Sequence, residues 1–262
     1  MMVNIPAVIL AGGLGTRIRE ETEFKPKPMV EIGGRPVIWH IMKHLSYFGV
    51  NRFIICVGYK GDVIRDYFLN YRARNNDFTV SLGAQDTLKF HDNHNESNWS
   101  VTVAETGNLT NTGGRLFSIE KYVRGETFLS TYGDGLSDIN ISELYKFHTE
   151  SNRVATVTAV RPLTRFGVLD IDDNQKVTNF REKPLSEGWI NGGYFIFNPE
   201  IFNYLSENVV LEQEPLQELA KRKELLAFKH EGFWQPMDTF RESKALNDLW
   251  NSGAAPWKVD LN

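Results

Sequence analysis

Three glycines near the start of the chain lie between an apolar run and a group of cationic side chains. The glycines follow the apolar residues 8–10 and precede a hydroxyl, a guanidinium and two ammonium groups: Gly12, Gly13, Gly15, Thr16, Arg17, Lys25 and Lys27. Glycine lets a backbone approach a ligand closely because it has no Cβ atom. Hydroxyl and cationic groups beside such a loop suit phosphate oxygens. The pattern predicts a buried strand followed by a loop that binds a polyanion.

Neither of two common phosphate-binding loops matches this run. A P-loop requires glycine, four residues and then Gly-Lys-Ser/Thr, and the chain has no such run. The dinucleotide-binding fingerprint requires a third glycine three residues after Gly15, where this chain has Ile18. A nicotinamide-dependent oxidoreductase is therefore disfavoured. A tight turn would explain the Gly-x-Gly alone, so the Thr-Arg and Lys-Pro-Lys-Pro that follow give the pattern its specificity.

Two aspartates stand where strands are predicted to end. Asp134 lies in Thr-Tyr-Gly-Asp-Gly, and Asp238 directly precedes Thr239, a predicted helix cap. Each has a structural explanation, since aspartate bonds backbone amides in turns and interacts well with helix N-termini. Magnesium, however, takes one or two carboxylates together with substrate phosphates. If both aspartates face the glycine loop, they meet that requirement.

A further polar group lies in the second half of the chain. Glu182 and Lys183 precede a proline, and an exposed Glu-Lys pair after a strand is most often a solvated turn. Asn191 can both donate and accept hydrogen bonds, which suits a sugar. Gly192 and Gly193 permit either a simple bulge or a close approach of the backbone to a ligand.

Alternating strands and helices predict an α/β fold. A strand–helix–strand–helix order implies a parallel sheet with right-handed crossovers, and ligands bind beyond the carboxyl ends of such strands. The predicted strands cover residues 8–11, 52–57, 100–103, 127–132, 154–160, 176–180 and 194–197. The predicted helices cover residues 36–49, 63–71, 142–150, 199–206, 214–223 and 239–250, the last with a capping box. Residues 83–98 predict a polar excursion from the sheet, and no linker divides the chain, so we expect one domain, residues 1–262.

Composition limits the possible partners. The 262 residues carry a net charge of −4, which argues against binding to nucleic acid or an anionic membrane. Cys56 is the only cysteine and lies in an apolar run, so we expect a buried residue rather than a nucleophile. The sequence contains no signal peptide and no apolar stretch long enough to span a bilayer. A cytoplasmic location is therefore expected.

Together these motifs resemble the signature of the sugar-1-phosphate nucleotidyltransferases, which make NDP-sugars from an NTP and a sugar phosphate. The resemblance covers nearly the whole chain, with residues 85–96 matching least clearly. It implies a single Rossmann-like domain with a mixed, mainly parallel sheet flanked by helices. The first part, about residues 1–135, would bind the NTP, and the part from about 136 to 262 the sugar phosphate.

The resemblance also implies roles for individual residues. Arg17 and Lys27 would be catalytic, with Lys25 an alternative to Lys27 because the Lys-Pro pair is doubled, and Asp134 and Asp238 would bind Mg²⁺. The nucleotide-binding residues would be Leu10, Gly12, Gly13, Gly15, Thr16, Arg17, Lys27, Thr106, Gly107, Gly113 and Arg115. The sugar-phosphate-binding residues would be Glu182, Lys183, Asn191, Gly192 and Gly193.

A second glycine-rich stretch, residues 105–115, is similar to that of the cytidylyltransferase branch of this family. The resemblance to this branch also rests on the runs at residues 25–34, 39–43, 131–135 and 232–238. That branch uses CTP and glucose 1-phosphate and releases CDP-glucose and pyrophosphate. It would supply dideoxyhexose synthesis for bacterial surface polysaccharide such as the O-antigen of lipopolysaccharide, and its members are expected to be homo-oligomers. Three alternatives remain open: UTP or dTTP as the nucleotide, mannose 1-phosphate as the sugar, or a silent relative that binds nucleotide sugars.

Overall fold

A computed structural model of the chain describes residues 2–13, 15, 22, 24–83, 87–91, 94–164 and 166–259. Two predicted site residues, Thr16 and Arg17, lie outside these residues. The strands are β1 (Ala7–Leu10), β2 (Glu31–Ile32), β3 (Arg35–Pro36), β4 (Arg52–Val57), β5 (Phe78–Ser81), β6 (Thr87–Phe90), β7 (Ser100–Glu105), β8 (Phe128–Tyr132), β9 (Gly135–Ser137), β10 (Ala155–Val160), β11 (Val168–Ile171), β12 (Val177–Arg181), β13 (Ile190–Phe197), β14 (Leu225–His230) and β15 (Trp234–Pro236). The described helices are α1 (Val37–Tyr47), α2 (Gly61–Leu69), α3 (Tyr71–Asn75), α4 (Thr112–Ser118), α5 (Glu120–Val123), α6 (Ile141–Ser151), α7 (Glu214–Lys221) and α8 (Phe240–Asn251).

Seven strands form the central sheet in the order β14-β10-β13-β8-β1-β4-β7. Strands β1, β4, β7 and β8 are parallel, whereas β13 is antiparallel to both of its neighbours, β8 and β10. Because β14 is parallel to β10, only β13 runs against the other strands of this sheet. The predicted α/β class, with a mixed and mainly parallel sheet flanked by helices, is confirmed.

The centre of the sheet is buried on both faces. In β1, Ala7 and Ile9 pack into one apolar core, and Val8 and Leu10 pack into the other. Such strands appear in sequence as continuous apolar runs, which is why β1 was predictable. Cys56 of β4 is fully buried, as expected, and burial raises the pKa of its thiol to about 12.

The long helices agree with their sequence signals. Pro36 precedes α1, and α6 matches the predicted helix over residues 142–150 within one residue at each end. The capping box of α8 is present, because the backbone amide of Glu242 donates to Thr239 Oγ1 at 3.2 Å. Among the described residues, no helix is long and apolar enough to cross a membrane.

Three segments differ from the prediction. The polar excursion contains a two-stranded hairpin, β5–β6, that lies outside the central sheet. The predicted strand over residues 176–180 pairs with β11 in a second hairpin outside that sheet. The predicted helix over residues 199–206 is a short 3₁₀ helix, Pro199–Tyr204. Each hairpin pairs only with itself, so it lacks the long buried run that identifies a sheet strand.

The second glycine-rich stretch is also more ordered than predicted, because Thr112 begins helix α4. Two adjacent glycines disfavour a helix, so local propensity did not reveal it. Their purpose is close packing: a Cβ atom on Gly113 would lie 2.6 Å from Val209 Cγ1, and one on Gly114 would overlap the carbonyl oxygen of Glu207. The helix therefore depends on direct contact with the segment 207–211.

We predict that Gly114→Ala destabilises the protein by about 1–3 kcal/mol, the range for forcing extra volume into a packed site. Alanine favours a helix more than glycine does, so helix propensity alone would predict a more stable protein. The expected loss of stability comes from the contact with Glu207. Thermal unfolding measures it, at about 2–4 °C per kcal/mol for a chain of this size. Gly188→Ala is the control because nothing lies within 4 Å of its Cβ position. An unchanged or raised Tm for Gly114→Ala would contradict the packing argument.

Candidate active site

Several strand ends meet at one edge of the central sheet and form a cleft there. Strands β1 and β8 end side by side, with Leu10 opposite Tyr132. Because β13 runs the other way, its first residues reach the same edge as the last residues of β8 and β10. The cleft has a volume of about 420 Å³, within the range of small-molecule sites. Its lining includes Leu10, Gly12, Gly13, Gly15, Lys27, Arg115, Tyr132, Asp134, Glu212 and Asp238.

Lys27 is held between the two predicted metal-binding aspartates. Its ammonium Nζ donates to Asp134 Oδ2 at 2.6 Å and also to Asp238 Oδ1. Only 11% of the Lys27 side chain is exposed, whereas Lys25 pairs with Glu31 at 3.7 Å nearer the surface. Of the two lysines that the sequence left open, Lys27 is therefore the one beside the carboxylates.

The two aspartates come together because the strands next to them pair. Asp134 immediately precedes β9, and Asp238 follows β15, which is antiparallel to β9. The backbone amide of Met237 also donates to the carbonyl of Asp134 at 2.8 Å. Residues that are 104 positions apart in sequence are thus fixed as neighbours by backbone hydrogen bonds.

The backbone around Lys27 is held in place from two sides. A Cβ atom on Gly133 would lie 2.9 Å from Pro28 Cγ, so this glycine lets the short 3₁₀ helix Lys27–Met29 approach Asp134. Helix α8, which begins just after Asp238, reaches the β2–β3 turn with its last residues. There Asn247 Oδ1 accepts from the Gly33 amide at 3.0 Å.

This arrangement fixes the charge on Lys27. Burial alone would lower the pKa of the ammonium, but the carboxylates of Asp134 and Asp238 outweigh burial and raise the pKa above its ordinary value. Lys27 is therefore a permanent cation at neutral pH. Chemically it offers a fixed positive charge, not a proton acceptor.

Arg115, predicted to bind the nucleotide, forms hydrogen bonds that connect the ends of β1, β4 and β7. Its guanidinium donates to the Gly12 carbonyl at 2.9 Å, to the Val57 carbonyl at 3.2 Å and to Thr106 Oγ1 at 2.7 Å. The side chain is buried, although part of it lines the cleft. Thr106, which accepts from this guanidinium, is not part of the cleft lining, and neither are Gly107 and Gly113.

The glycines of the predicted loop border the cleft, but they differ in the space around their backbone. A Cβ atom on Gly12 would overlap the Arg115 guanidinium, whereas nothing lies within 4 Å of the Cβ position of Gly13. Gly15 has a φ of +62°, and its carbonyl accepts from Thr22 Oγ1 at 3.0 Å. Among the described residues of this loop, Gly13 therefore leaves the most space for a ligand to approach.

The predicted sugar-phosphate residues fall into two groups. Glu182 and Lys183 pair with each other at 3.4 Å, are 61% and 46% exposed, and do not line the cleft. Asn191 lies near the cleft, since its Nδ2 donates to Tyr132 Oη at 3.3 Å. Gly193 also reaches Tyr132, because a Cβ atom there would lie 2.6 Å from the ring. The carbonyl of Gly192 accepts from Trp234 Nε1 at 2.7 Å.

The cleft residues that were not predicted from the sequence include a hydrogen-bonded group of Thr112, Tyr132 and Glu212. Tyr132 Oη donates to Glu212 Oε1, and Thr112 Oγ1 donates to Glu212 Oε2 at 2.6 Å. Tyr132 belongs to the same motif as Asp134, which could have drawn attention to it. Glu212 lies in a stretch without a glycine or a strand signal, and only its contact across 100 residues reveals it.

Comparison with known proteins identifies the fold family. The sequence profile described as Nucleotidyl transferase matches residues 6–235. The chain belongs to this family. Glucose-1-phosphate cytidylyltransferase of Salmonella typhi is 51% identical over 256 residues, which cover 97% of this chain and 98% of that protein.

Two other proteins show how far the similarity extends. The probable glucose-1-phosphate cytidylyltransferase of Bacillus subtilis (strain 168) is 43% identical over 97% of this chain and 99% of its own. The crystal structure of HddC from Yersinia pseudotuberculosis superposes with a TM-score of 0.69 at 24% identity, covering 94% of this chain and 99% of that one. At that identity the second comparison supports the nucleotidyltransferase fold alone.

The donor set suits a divalent metal that binds together with a substrate. Asp134 and Asp238 both reach the Lys27 ammonium, so their oxygens converge on one point of the cleft. Within the described part of the chain, no group of three or more His, Cys, Asp and Glu side chains could hold a metal ion. Two carboxylates completed by phosphate oxygens are a usual arrangement for Mg²⁺. The residues present therefore fit a magnesium ion whose remaining ligands are phosphate oxygens of a nucleotide.

We predict that Lys27→Met lowers the free energy of unfolding by about 1–3 kcal/mol, because two half-buried carboxylates then face each other without their cation. Since the folded state raises the pKa of Lys27 above 10.5, this stabilisation is complete below that pH and is lost as the pH rises through the folded-state pKa. In urea denaturation, the difference in the free energy of unfolding between wild type and variant should therefore be constant from about pH 7 to 9 and smaller near about pH 11.

Lys25→Met is the matched control, since a surface ion pair contributes only about 0–1 kcal/mol. Equal losses for the two lysine variants would contradict the position assigned to Lys27.

Proposed function

We propose that this chain transfers CMP from CTP to glucose 1-phosphate and releases CDP-glucose and pyrophosphate. The observation that carries the proposal is the Lys27 ammonium fixed between Asp134 and Asp238, beside the open backbone of Gly13. One cation and two potential metal ligands surround the space where the phosphates of a nucleotide would lie. The choice of CTP and glucose 1-phosphate rests on the relative that is 51% identical.

The reaction needs charge control rather than an activated side chain. A sugar phosphate oxygen is already anionic at neutral pH, so it can attack the α-phosphorus without a general base. The attack brings an anion towards a polyanion, and positioning with cation clamps is the expected solution. Cys56, with its pKa raised to about 12 by burial, offers no nucleophile. This agrees with a cleft built around Lys27.

Roles on the nucleotide side follow from position. Lys27 would neutralise charge at the α-phosphate, and Gly13 would donate its amide to a phosphate oxygen. We assign the β- and γ-phosphates to Thr16 and Arg17, which follow this loop in sequence. Asp134 and Asp238 would hold Mg²⁺, which when bound screens the phosphates and keeps them in line for displacement.

The base and the sugar would occupy the two sides of this phosphate centre. Arg115 lines the cleft beside Gly12, so we place the base near these residues, with Thr106, Gly107 and Gly113 supporting them from outside the cleft lining. Asn191, Gly192 and Gly193 would line the sugar side. Glu182 and Lys183 would take part only if the β11–β12 hairpin brings them closer to the cleft than it does here.

We also propose that the protein works in the cytoplasm, where CTP is available, and forms homo-oligomers. The support for assembly is the apolar face of the β5–β6 hairpin, on which Phe78 pairs with Phe90 and Val80 with Leu88. Phe78, Val80 and Leu88 are 44–56% exposed. An isolated two-stranded hairpin is marginally stable in water, so a partner surface would stabilise this one. The product would supply sugar units for surface polysaccharide.

The direct test is pyrophosphate release with glucose 1-phosphate and Mg²⁺, using CTP, UTP, dTTP, ATP and GTP in separate reactions. We expect the fastest release with CTP, none without the sugar phosphate, and loss of release when a chelator removes the metal. Faster release with UTP or dTTP, or with mannose 1-phosphate as the sugar, would keep the chemistry but overturn the proposed substrates. No release with any pair would favour a silent nucleotide-sugar-binding protein.

Within the same assay, Lys27→Met should lower kcat by about 100- to 1,000-fold, the usual loss when one donor to a developing charge is removed. Lys25→Met should stay within a few-fold of wild type, because that side chain pairs with Glu31 away from the aspartates. Thermal unfolding of both variants separates lost activity from lost structure. The reverse ranking would assign the catalytic role to Lys25.

A further inference from the structure

Glu212 is a third carboxylate in the cleft, and none of the roles above uses it. It lies just before helix α7, on the segment that packs along α4, and it is partly buried. The backbone amide of its neighbour Leu211 donates to Thr112 Oγ1 at 3.0 Å, which fixes this segment against the start of α4. The position of Glu212 is therefore set by backbone contacts as well as by its own side chain.

Two hydroxyl groups hold the carboxylate of Glu212. Thr112 Oγ1 donates to one oxygen at 2.6 Å, and Tyr132 Oη donates to the other. Each carboxylate oxygen can accept two hydrogen bonds, so both keep acceptor capacity. Asp134 and Asp238 differ from Glu212 because both are paired with the Lys27 ammonium. Among the described residues, Glu212 forms no ion pair with a cation.

The neighbours of Glu212 are neutral and polar. Tyr132 Oη accepts from Asn191 Nδ2 at 3.3 Å, and Asn191 Oδ1 accepts from the Gly193 amide at 2.8 Å. Burial and the nearby Glu212 carboxylate raise the pKa of Tyr132, so the phenol stays protonated and keeps donating. This surface combines a negative acceptor with hydroxyl and amide groups. It repels phosphate and suits the hydroxyl groups of a carbohydrate ring.

We propose that Glu212 binds hydroxyl groups of a substrate in the cleft, and so contributes to its selection. The inference rests on the proposed function, in which both substrates carry such groups: the ribose of the nucleotide and the pyranose of the sugar phosphate. A carboxylate that accepts from substrate hydroxyls rejects an analogue without them, since the acceptor is then left desolvated and unpaired. The competing explanation is that Glu212 has only a structural role, in which its two hydrogen bonds connect α4 to β8.

The test combines a variant with substrates that lack single hydroxyls. With CTP and glucose 1-phosphate, Glu212→Gln should lower kcat/KM by about 10-fold or more, the effect of weakening a hydrogen bond to a charged acceptor. The same comparison is repeated with 2′-deoxy- and 3′-deoxy-CTP and with 2-, 3- and 4-deoxy-glucose 1-phosphate. We expect the difference between variant and wild type to disappear for the analogue that lacks the bound hydroxyl.

The analogue that removes the difference identifies the group that Glu212 binds. A nucleotide analogue would assign it to the ribose, and a sugar analogue to the pyranose. A purely structural tie predicts instead the same loss with every substrate, together with a lower Tm. That result, or no loss with any substrate, would overturn the proposal. Glu214→Gln is the control, since it removes a carboxylate two residues away on the exposed start of α7.

A failure of the proposed function would be recognised separately. If the wild type releases no pyrophosphate with any substrate pair, the proposed reaction is wrong, whatever Glu212 does. Calorimetric titration with CDP-glucose then tests the role of Glu212, because it measures binding and needs no catalysis. CDP-glucose carries both the ribose and the pyranose ring. Binding that is about 10-fold weaker in Glu212→Gln than in Glu214→Gln would support the proposal. Equal binding by the two variants would overturn it.

Discussion

The ion pairs of Lys27 with Asp134 and Asp238 are the interaction on which the cleft depends. Opposite charges at contact distance attract by about 4 kcal/mol near a protein surface, before the cost of desolvating them is subtracted. One cation between two carboxylates leaves this centre with a net negative charge. Under the proposed function, that charge would disfavour a bare nucleotide and favour one that binds together with a divalent cation.

The rest of the fold brings these three charges together from distant parts of the chain. Pairing of β9 with β15 places the aspartates side by side, and Gly133 admits the backbone next to Lys27. Helix α8 then links the two sides, because it starts beside Asp238 and ends against the β2–β3 turn, where Trp250 covers Gly33. Helix α8 thus helps to position three charged groups of the cleft that it does not itself carry.

Much of this architecture was predictable because its signals are local. A continuous apolar run marks β1, and the capping box marks the start of α8. The position of Lys27 was also predictable, although the doubled Lys-Pro left Lys25 as an alternative until the ion pairs were seen. The hairpins were not predictable because they lack the long buried run that marks a strand of the central sheet. Glu212 was not predictable because its contacts, with Thr112 and Tyr132, are with residues far away in the sequence. The position of Lys183 at the surface, outside the cleft, was likewise not evident from its motif.

The glycines show that residues predicted to share one role can have different surroundings. Of Gly12, Gly13 and Gly113, all predicted to bind the nucleotide, only Gly13 has open space at its Cβ position. The space beside Gly12 is filled by Arg115, whose guanidinium donates to the Gly12 and Val57 carbonyls and to Thr106. Fixing Gly12 before a ligand binds lowers the entropy cost of binding. Under the proposed function, the close packing of Gly113 would therefore support the nucleotide site through α4 and Arg115.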